Sequence, residues 1–73
     1  MTYPHLEPVN STSIEAVGYV EDAHQLHVQF VSGGYYVYES VPPATYQELM
    51  SADSLGAFLN LHIKPNYPYR YGP

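Results

Sequence analysis

The chain has 73 residues, no cysteine, and a formal net charge of −5 from seven acidic and two basic side chains. This length suits one small domain, and the lack of cysteine excludes disulfides and thiolate metal sites. The charge disfavours a long nucleic-acid duplex as partner, because phosphate binding needs several Lys or Arg. No apolar stretch approaches the roughly 20 residues of a membrane span, so we expect a soluble cytoplasmic protein with no membrane partner.

Large aliphatic side chains are scarce. Leu, Ile, Val and Phe together only slightly exceed the roughly 20% of residues below which disorder is common. Nine tyrosines are present, and a chain this poor in aliphatic residues must use some of them to build a core.

The first part of the chain is predicted to form an antiparallel meander. Residues 1–12 contain two prolines and no sustained period, and are interpreted as an irregular arm. Three strand signals follow, at Ser13 to Val20, Gln25 to Val31 and Tyr35 to Val41. In the second of these, apolar Leu26, Val28 and Phe30 alternate with polar residues, which is typical of a half-buried strand.

A first helix is predicted to begin near Pro43, since proline is well tolerated in the first helical turn. Tyr46, Leu49 and Met50 then recur at helical spacing.

A second helix is predicted with Asp53 as its N-cap and Pro65 at its end. Its apolar stripe consists of Leu55, Phe58, Leu59 and His62. His62 is therefore interpreted as a core or boundary histidine. The tail beyond it contains three prolines and is predicted to be extended, with tyrosines that favour docking.

The predicted fold class is α+β, a three-stranded antiparallel β-meander followed by two short α-helices. The predicted boundaries are an arm over residues 1–12, a domain over 13–69 and a tail over 70–73.

The loop between the second and third strands decides which way the tyrosines face. A two-residue loop, Gly33-Gly34, turns Tyr36 and Tyr38 away from the core. A three-residue loop, Ser32 to Gly34 with its last residue left-handed, places Tyr36 opposite Phe30 and turns both tyrosines towards the core. The shortage of aliphatic residues favours the three-residue loop.

With that loop, Tyr35, Val37 and Val31 face outward as an apolar strip. Either the N-terminal arm covers this strip or a partner does.

Several short motifs occur in an order that resembles one known family. They are Ser13-Ile14, Gly18-Tyr19, Leu26-x-Val28-x-Phe30, Ser32-Gly33, Tyr36-x-Tyr38, Val41-Pro42, and Ser54-x-Gly56 followed by Phe58, Asn60, Ile63 and Tyr67. Over residues 11–69 the chain resembles the KTSC domain, found at the C-terminus of some lysyl-tRNA synthetases and as free-standing bacterial proteins. The resemblance implies an RNA-binding appendage, with single-stranded RNA, tRNA or a nucleotide as ligand.

A small anion-binding corner is predicted near the second helix. Free backbone amides at Ser54 and Gly56 could hold a phosphate, helped by Lys64 and Arg70. In the alternative interpretation, Gly56 only permits close packing. The predicted ligand-binding residues are Ser54, Gly56, Asn60, Lys64, Tyr67, Arg70 and Tyr35, and the predicted structural motif is Phe30, Gly33, Gly34, Tyr36 and Tyr38.

Neither metal binding nor catalysis is expected. His24 and His27 are three residues apart on a predicted strand and point to opposite faces. Ser54 and His62 are separated by about 12 Å along one helix, too far to form a hydrogen bond. We therefore expect no cofactor and no enzyme activity.

The sequence is compatible with two functions. One is a non-enzymatic module that binds RNA or a nucleotide through aromatic rings and the anion-binding corner. The alternative is a protein-interaction or homodimerisation domain that uses a strand edge and the strip of Val31, Tyr35 and Val37.

Overall fold

The sheet contains five antiparallel strands rather than three. The structure, a computed structural model, describes residues 4–72. The strands are β1 (Glu7–Pro8), β2 (Ile14–Val20), β3 (Gln25–Phe30), β4 (Tyr35–Tyr38) and β5 (Tyr69–Tyr71), which lie side by side in chain order. The helices are α1 (Pro43–Met50) and α2 (Leu55–Phe58), and α2 continues into a π-helical turn at Leu59–Ile63. The predicted α+β class is confirmed, and the central meander β2-β3-β4 forms as expected.

The loop between β3 and β4 has the predicted length but not the predicted position. The Phe30 amide donates to the Gly34 carbonyl at 2.8 Å, and the Gly33 amide donates to the Phe30 carbonyl at 2.9 Å. The loop is therefore 31–33, one residue earlier than predicted. Gly33 has a φ of 106°, so it is Gly33, and not Gly34, that supplies the positive φ.

The shifted loop changes the partners of the tyrosines but not their face. Tyr36 lies opposite Val28, and Tyr38 lies opposite Leu26. This pairing differs from the predicted one by two residues, and side chains alternate with a period of two. Tyr36 and Tyr38 therefore both face the helices, as the three-residue loop predicted.

Both edge strands occur in segments that were predicted to be irregular or merely extended. In β1, Glu7 lies opposite Val17. In β5, Tyr69 lies opposite Tyr38 and Tyr71 lies opposite Tyr36. The predicted three-stranded sheet was thus incomplete, because strands this short, in segments rich in proline, show no periodic pattern.

The N-cap of α2 is Ser54, so the prediction of Asp53 was wrong. The Ser54 hydroxyl accepts a hydrogen bond from the Ala57 amide at 3.2 Å. Asp53 lies one residue before the cap and its side chain is exposed.

The π-helical turn explains why His62 is exposed rather than in the core. The Lys64 amide donates to the Leu59 carbonyl at 2.9 Å, a bond between residues five apart. The turn therefore contains one residue more than an α-helical turn, which rotates the residues that follow. Ile63 is buried in the place that the stripe assigned to His62, while His62 lies outside against the ring of Phe58.

One apolar core lies between the sheet and the helices. Its fully buried members are Ile14, Val17, Leu26, Val28, Tyr38, Val41, Leu49, Leu59 and Ile63. In the described part of the chain, no helix has the length and apolar character needed to cross a membrane.

Candidate functional site

A group of aromatic rings lies on the same sheet face as the core, near the sheet edge formed by β5. Pairing of β5 with β4 brings Tyr69 and Tyr71 beside Tyr36, with ring centroids 5.2 and 5.1 Å away. Phe30 adds a fourth ring, 5.3 Å from Tyr36. Tyr69 and Tyr71 are 52% and 69% exposed, whereas Tyr36 and Phe30 are half-buried. We call Phe30, Tyr36, Tyr69, Tyr71 and the adjacent Lys64 the aromatic rim.

Lys64 supplies the positive charge of the rim. Its ammonium lies 5.4 Å from the centroid of the Phe30 ring, within the range of a cation–π contact. The π-helical turn ends immediately before Lys64 and directs the chain past this ring. A hollow of about 210 Å³ lies between Lys64, Phe30 and Tyr36, with Ser32 and Gly34 on its wall.

Acidic residues are absent from the three segments that build the rim. The seven acids of the chain are Glu7, Glu15, Glu21, Asp22, Glu39, Glu48 and Asp53. None of them lies within residues 30–36, 59–64 or 69–71. The segments that build the rim thus contain no acidic side chain, although the chain as a whole is acidic.

The phenol groups of Tyr36 and Tyr38 stay neutral at physiological pH. Hydrogen bonding with Tyr71 is the main cause that raises the pKa of Tyr36, and burial adds to it. Burial is the main cause that raises the pKa of Tyr38 to about 12. Neither residue therefore contributes a negative charge that would repel a phosphate.

Three of the predicted ligand-binding residues do come together. Ser54, Gly56 and Asn60 line a depression of about 470 Å³, together with Asp53 and residues 10–13. A Cβ atom at Gly56 would lie 2.6 Å from the Ser13 hydroxyl oxygen. That close approach of the helix to the chain before β2 is the packing role considered for Gly56.

The two basic residues of the predicted corner lie elsewhere. Lys64 belongs to the aromatic rim. Arg70 lies opposite Val37 in β5, and its Nε donates to a Glu39 carboxylate oxygen at 2.8 Å. Since side chains alternate along a strand, Arg70 points to the sheet face away from the helices.

Tyr67 and Tyr35 lie away from both hollows. The half-buried Tyr67 packs against the core, with its hydroxyl 3.4 Å from that of Thr45. Tyr35 is on the opposite face of the sheet, where its hydroxyl lies 2.8 Å from Nδ1 of His27.

Of the predicted strip of Val31, Tyr35 and Val37, the two strand residues Tyr35 and Val37 do face away from the helices, but they are not openly exposed. Val37 is 0% exposed, and its neighbour His27 is 2% exposed. Only Val31, in the loop, is largely open to solvent. The N-terminal arm covers part of this face, which is one of the two covers that were expected. A Cβ at Gly18, which lies opposite His27, would be 2.6 Å from the Leu6 side chain.

His27 occupies the centre of that second face. Its Nε2 lies 3.4 Å from the side-chain oxygen of Gln25. Burial lowers its pKa, the nearby Arg70 lowers it further, and Glu39 partly opposes both effects. The imidazole is therefore a neutral structural group, hydrogen-bonded rather than available to a ligand.

Sequence reasoning did not include Tyr69 and Tyr71, the most exposed rings of the rim, among the ligand-binding residues. The signal was present, because Tyr69-Arg70-Tyr71 is a short alternation of two aromatic residues around a charged one. Interpreted as a strand, it places both tyrosines on one face and Arg70 on the other.

Comparisons with known proteins agree on the family. The model of the KTSC domain matches residues 10–67. A crystal structure of a KTSC domain protein from Yersinia pestis superposes with a TM-score of 0.92 at 35% identity, covering 97% of this chain and all of that one.

Sequence relatives include free-standing proteins and one larger enzyme. An uncharacterised protein of Stutzerimonas stutzeri is 44% identical over 63 residues, which cover 86% of this chain and 87% of that protein. A protein of Tsukamurella paurometabola is 39% identical over 62 residues, covering 85% of this chain and 92% of its own. A lysine–tRNA ligase of Nostoc punctiforme is 32% identical over 69 residues, 94% of this chain but only 12% of the ligase.

Proposed function

The chain belongs to the KTSC domain family, and we propose that its aromatic rim binds single-stranded RNA without catalysing a reaction. The observation that carries the proposal is the exposure of Tyr69 and Tyr71 in a ring cluster that also holds Lys64 over Phe30, built from segments without acidic residues. Aromatic rings on a sheet are a sequence-tolerant platform for unpaired bases. RNA is preferred over other planar ligands because a lysine–tRNA ligase contains a segment similar to this chain. Such a ligand implies a cytoplasmic location.

Stacking, rather than charge, has to supply most of the affinity. Each base on an aromatic ring contributes about 1–3 kcal/mol, so three tyrosines offer roughly 3–9 kcal/mol before the cost of association. Dissociation constants of about 1 mM and 1 μM correspond to roughly 4 and 8 kcal/mol. We therefore expect binding between the micromolar and the millimolar range.

The salt dependence follows from a single basic residue at the rim. Each phosphate contacted by a cation on a single strand contributes a slope of about −0.7 to the dependence of log K on log salt concentration. Lys64 is the only basic side chain of the rim, so the expected slope of log K against log salt concentration is about −0.7. A steeper slope would indicate binding at a different, more highly charged surface.

An NMR titration with short unstructured RNA tests the proposal. We expect amide shifts in β5, at Tyr36 and at Lys64, and a loss of affinity of at least about 30-fold on replacing both Tyr69 and Tyr71 by alanine, since each ring contributes about 1 kcal/mol or more. Lys64→Gln should weaken binding by a few fold, and Arg70→Gln is its matched control. Both substitutions remove one positive charge, but Arg70 lies on the opposite face. Failure of RNA to bind at about 50 mM salt, where electrostatic attraction is strong, would overturn the proposal.

The alternative function, a protein-interaction or homodimer domain, predicts a different result. Its strand-edge form is weakened by Pro8 within β1 and Pro68 just before β5, since proline limits the addition of another strand. Its remaining support is the exposure of Tyr71 at the edge. Shifts of rim residues that depend on protein concentration and not on RNA would favour this alternative, and sedimentation would then show a dimer.

A further inference from the structure

We infer that the RNA strand held at the aromatic rim is splayed, with its bases turned apart rather than stacked on one another. The inference rests on the proposed function and concerns the conformation, and hence the class, of the RNA. Its basis is the mutual orientation of the rings.

The rings of the rim face in different directions. The ring planes of Tyr69 and Tyr71 are 87° apart, those of Tyr36 and Tyr71 are 60° apart, and those of Tyr36 and Tyr69 are 39° apart. Phe30 stands at 84° to Tyr36. Consecutive bases in a helical single strand are nearly parallel, so a base stacked on Tyr71 cannot continue into a neighbour stacked on Tyr69.

The near-parallel partner of Tyr36 is closed to a ligand. Tyr38 lies at 17° to Tyr36, but its side chain is buried in the core. The parallel part of the tyrosine cluster is therefore structural, and the accessible part presents rings in different directions. A strand that contacts two accessible rings must turn its bases apart.

The position of Lys64 is consistent with a strand that turns. Its ammonium lies over Phe30, at the hollow that Tyr36 and Gly34 also line. The missing side chain of Gly34 keeps this hollow open, since a Cβ there would lie 2.9 Å from the Tyr36 ring. A phosphate at Lys64 would lie beside the rings of Phe30 and Tyr36, which are 84° apart.

The class of ligand follows from the cost of separating bases. Oligoadenylate stacks strongly on itself and has to be unstacked, whereas oligouridylate is largely unstacked when free. Preferences for pyrimidine runs arise in this way, from stacking strength and backbone flexibility rather than from base-edge hydrogen bonds. We therefore expect the rim to select unstacked, uridine-rich strands, although a single adenine stacks on tyrosine at least as well as a single uracil.

The experiment compares adenine with uracil at two ligand lengths, the mononucleotide and the hexamer. Dissociation constants are measured by NMR for AMP and UMP, and for hexamers of adenylate and uridylate. For the mononucleotides we expect AMP to bind at least as tightly as UMP. For the hexamers we expect a reversal, with uridylate bound about fivefold more tightly than adenylate. The Tyr71→Ala variant, altered at an exposed position, should lose the reversal because one accessible ring fewer requires less splaying.

The possible outcomes distinguish failure of the splayed strand from failure of RNA binding itself. If both hexamers bind and adenylate is equal or tighter, the splayed strand is wrong while RNA binding stands. If the preference for uridylate survives unchanged in Tyr71→Ala, the ring geometry is not its cause and the inference fails. If no oligonucleotide binds, the proposed function and the inference are both overturned.

Discussion

Tyr36 and Tyr38 lie two residues apart on one face of β4, yet they occupy different environments. Tyr38 is buried in the same core cluster as Leu49 and Ile63 from the helices. Tyr36 is half-buried and lies among the rings of the aromatic rim, next to the exposed Tyr71. The helices cover Tyr38 fully, whereas Tyr36 lies where that cover ends and is only partly enclosed.

The difference shows what strand periodicity can and cannot assign. Alternation places both tyrosines on the same face, because their positions differ by two. The depth of each side chain depends on where helices from later in the chain come to lie. A Tyr-x-Tyr motif therefore identifies a face of a sheet, and only the structure separates a core residue from a surface one.

Replacing each tyrosine by alanine is the strongest test of this comparison. Tyr38→Ala should lower the free energy of unfolding by about 3–5 kcal/mol, since a large buried aromatic side chain leaves a cavity. Tyr36→Ala should cost about 1–2 kcal/mol less than Tyr38→Ala, because the Tyr36 ring is half-buried and its removal leaves no enclosed cavity. Urea denaturation measures both values, and equal losses would break the comparison.

The elements that were predicted correctly have strong local patterns. Leu26, Val28 and Phe30 alternate over a full strand, and Pro43 marks the start of α1, so these features are visible without tertiary information. β1 and β5 were not predicted, because strands of two and three residues form through partners that are distant in the sequence. The position of Lys64 depends on a hydrogen bond to Leu59 across a π-helical turn, which no propensity indicates.

An alkaline titration sharpens the comparison with a smaller effect. Burial raises the pKa of Tyr38 to about 12, whereas an unperturbed tyrosine titrates near pH 10. The unfolded state therefore loses this proton first. The stability linked to Tyr38 is complete below about pH 10 and is lost as the pH rises towards 12.

Tyrosinate absorbance, with Tyr38→Phe as the reference, measures this ionisation. The difference between the wild type and Tyr38→Phe should contain one phenol that ionises near pH 12 or together with unfolding. Tyr36→Phe serves as the matched control, since the pKa of Tyr36 is raised mainly by Tyr71 rather than by burial. Ionisation of Tyr38 near pH 10 in a folded protein would show that it is not in the core.

The candidate site was less predictable than the fold. Ser54, Gly56 and Asn60 were expected together and do line one depression, because one helical segment contributes all three. Arg70 was expected beside them and lies on the other face, since its direction is decided by a strand that was not predicted. The cover of the strip of Val31, Tyr35 and Val37 was left open for a related reason. The pattern of Tyr35 and Val37 gives their shared face, but what covers that face depends on other segments.

The smallest of these effects concerns the helix that covers Tyr38. Ser54→Ala should lower the free energy of unfolding by about 1 kcal/mol, because the Ser54 hydroxyl accepts the Ala57 amide. Asp53→Ala should cost at most about 0.5 kcal/mol, since Asp53 acts only through its charge near the helix N-terminus. In Ser54→Ala, amide exchange should accelerate in Leu59–Ile63, which covers Tyr38, while the pairing of β4 with β5 beside Tyr36 keeps its protection. Equal losses of unfolding free energy for the two substitutions would contradict Ser54 as the cap. Equal acceleration of amide exchange around Tyr36 and Tyr38 would mean that the two parts of the sheet face unfold as one unit.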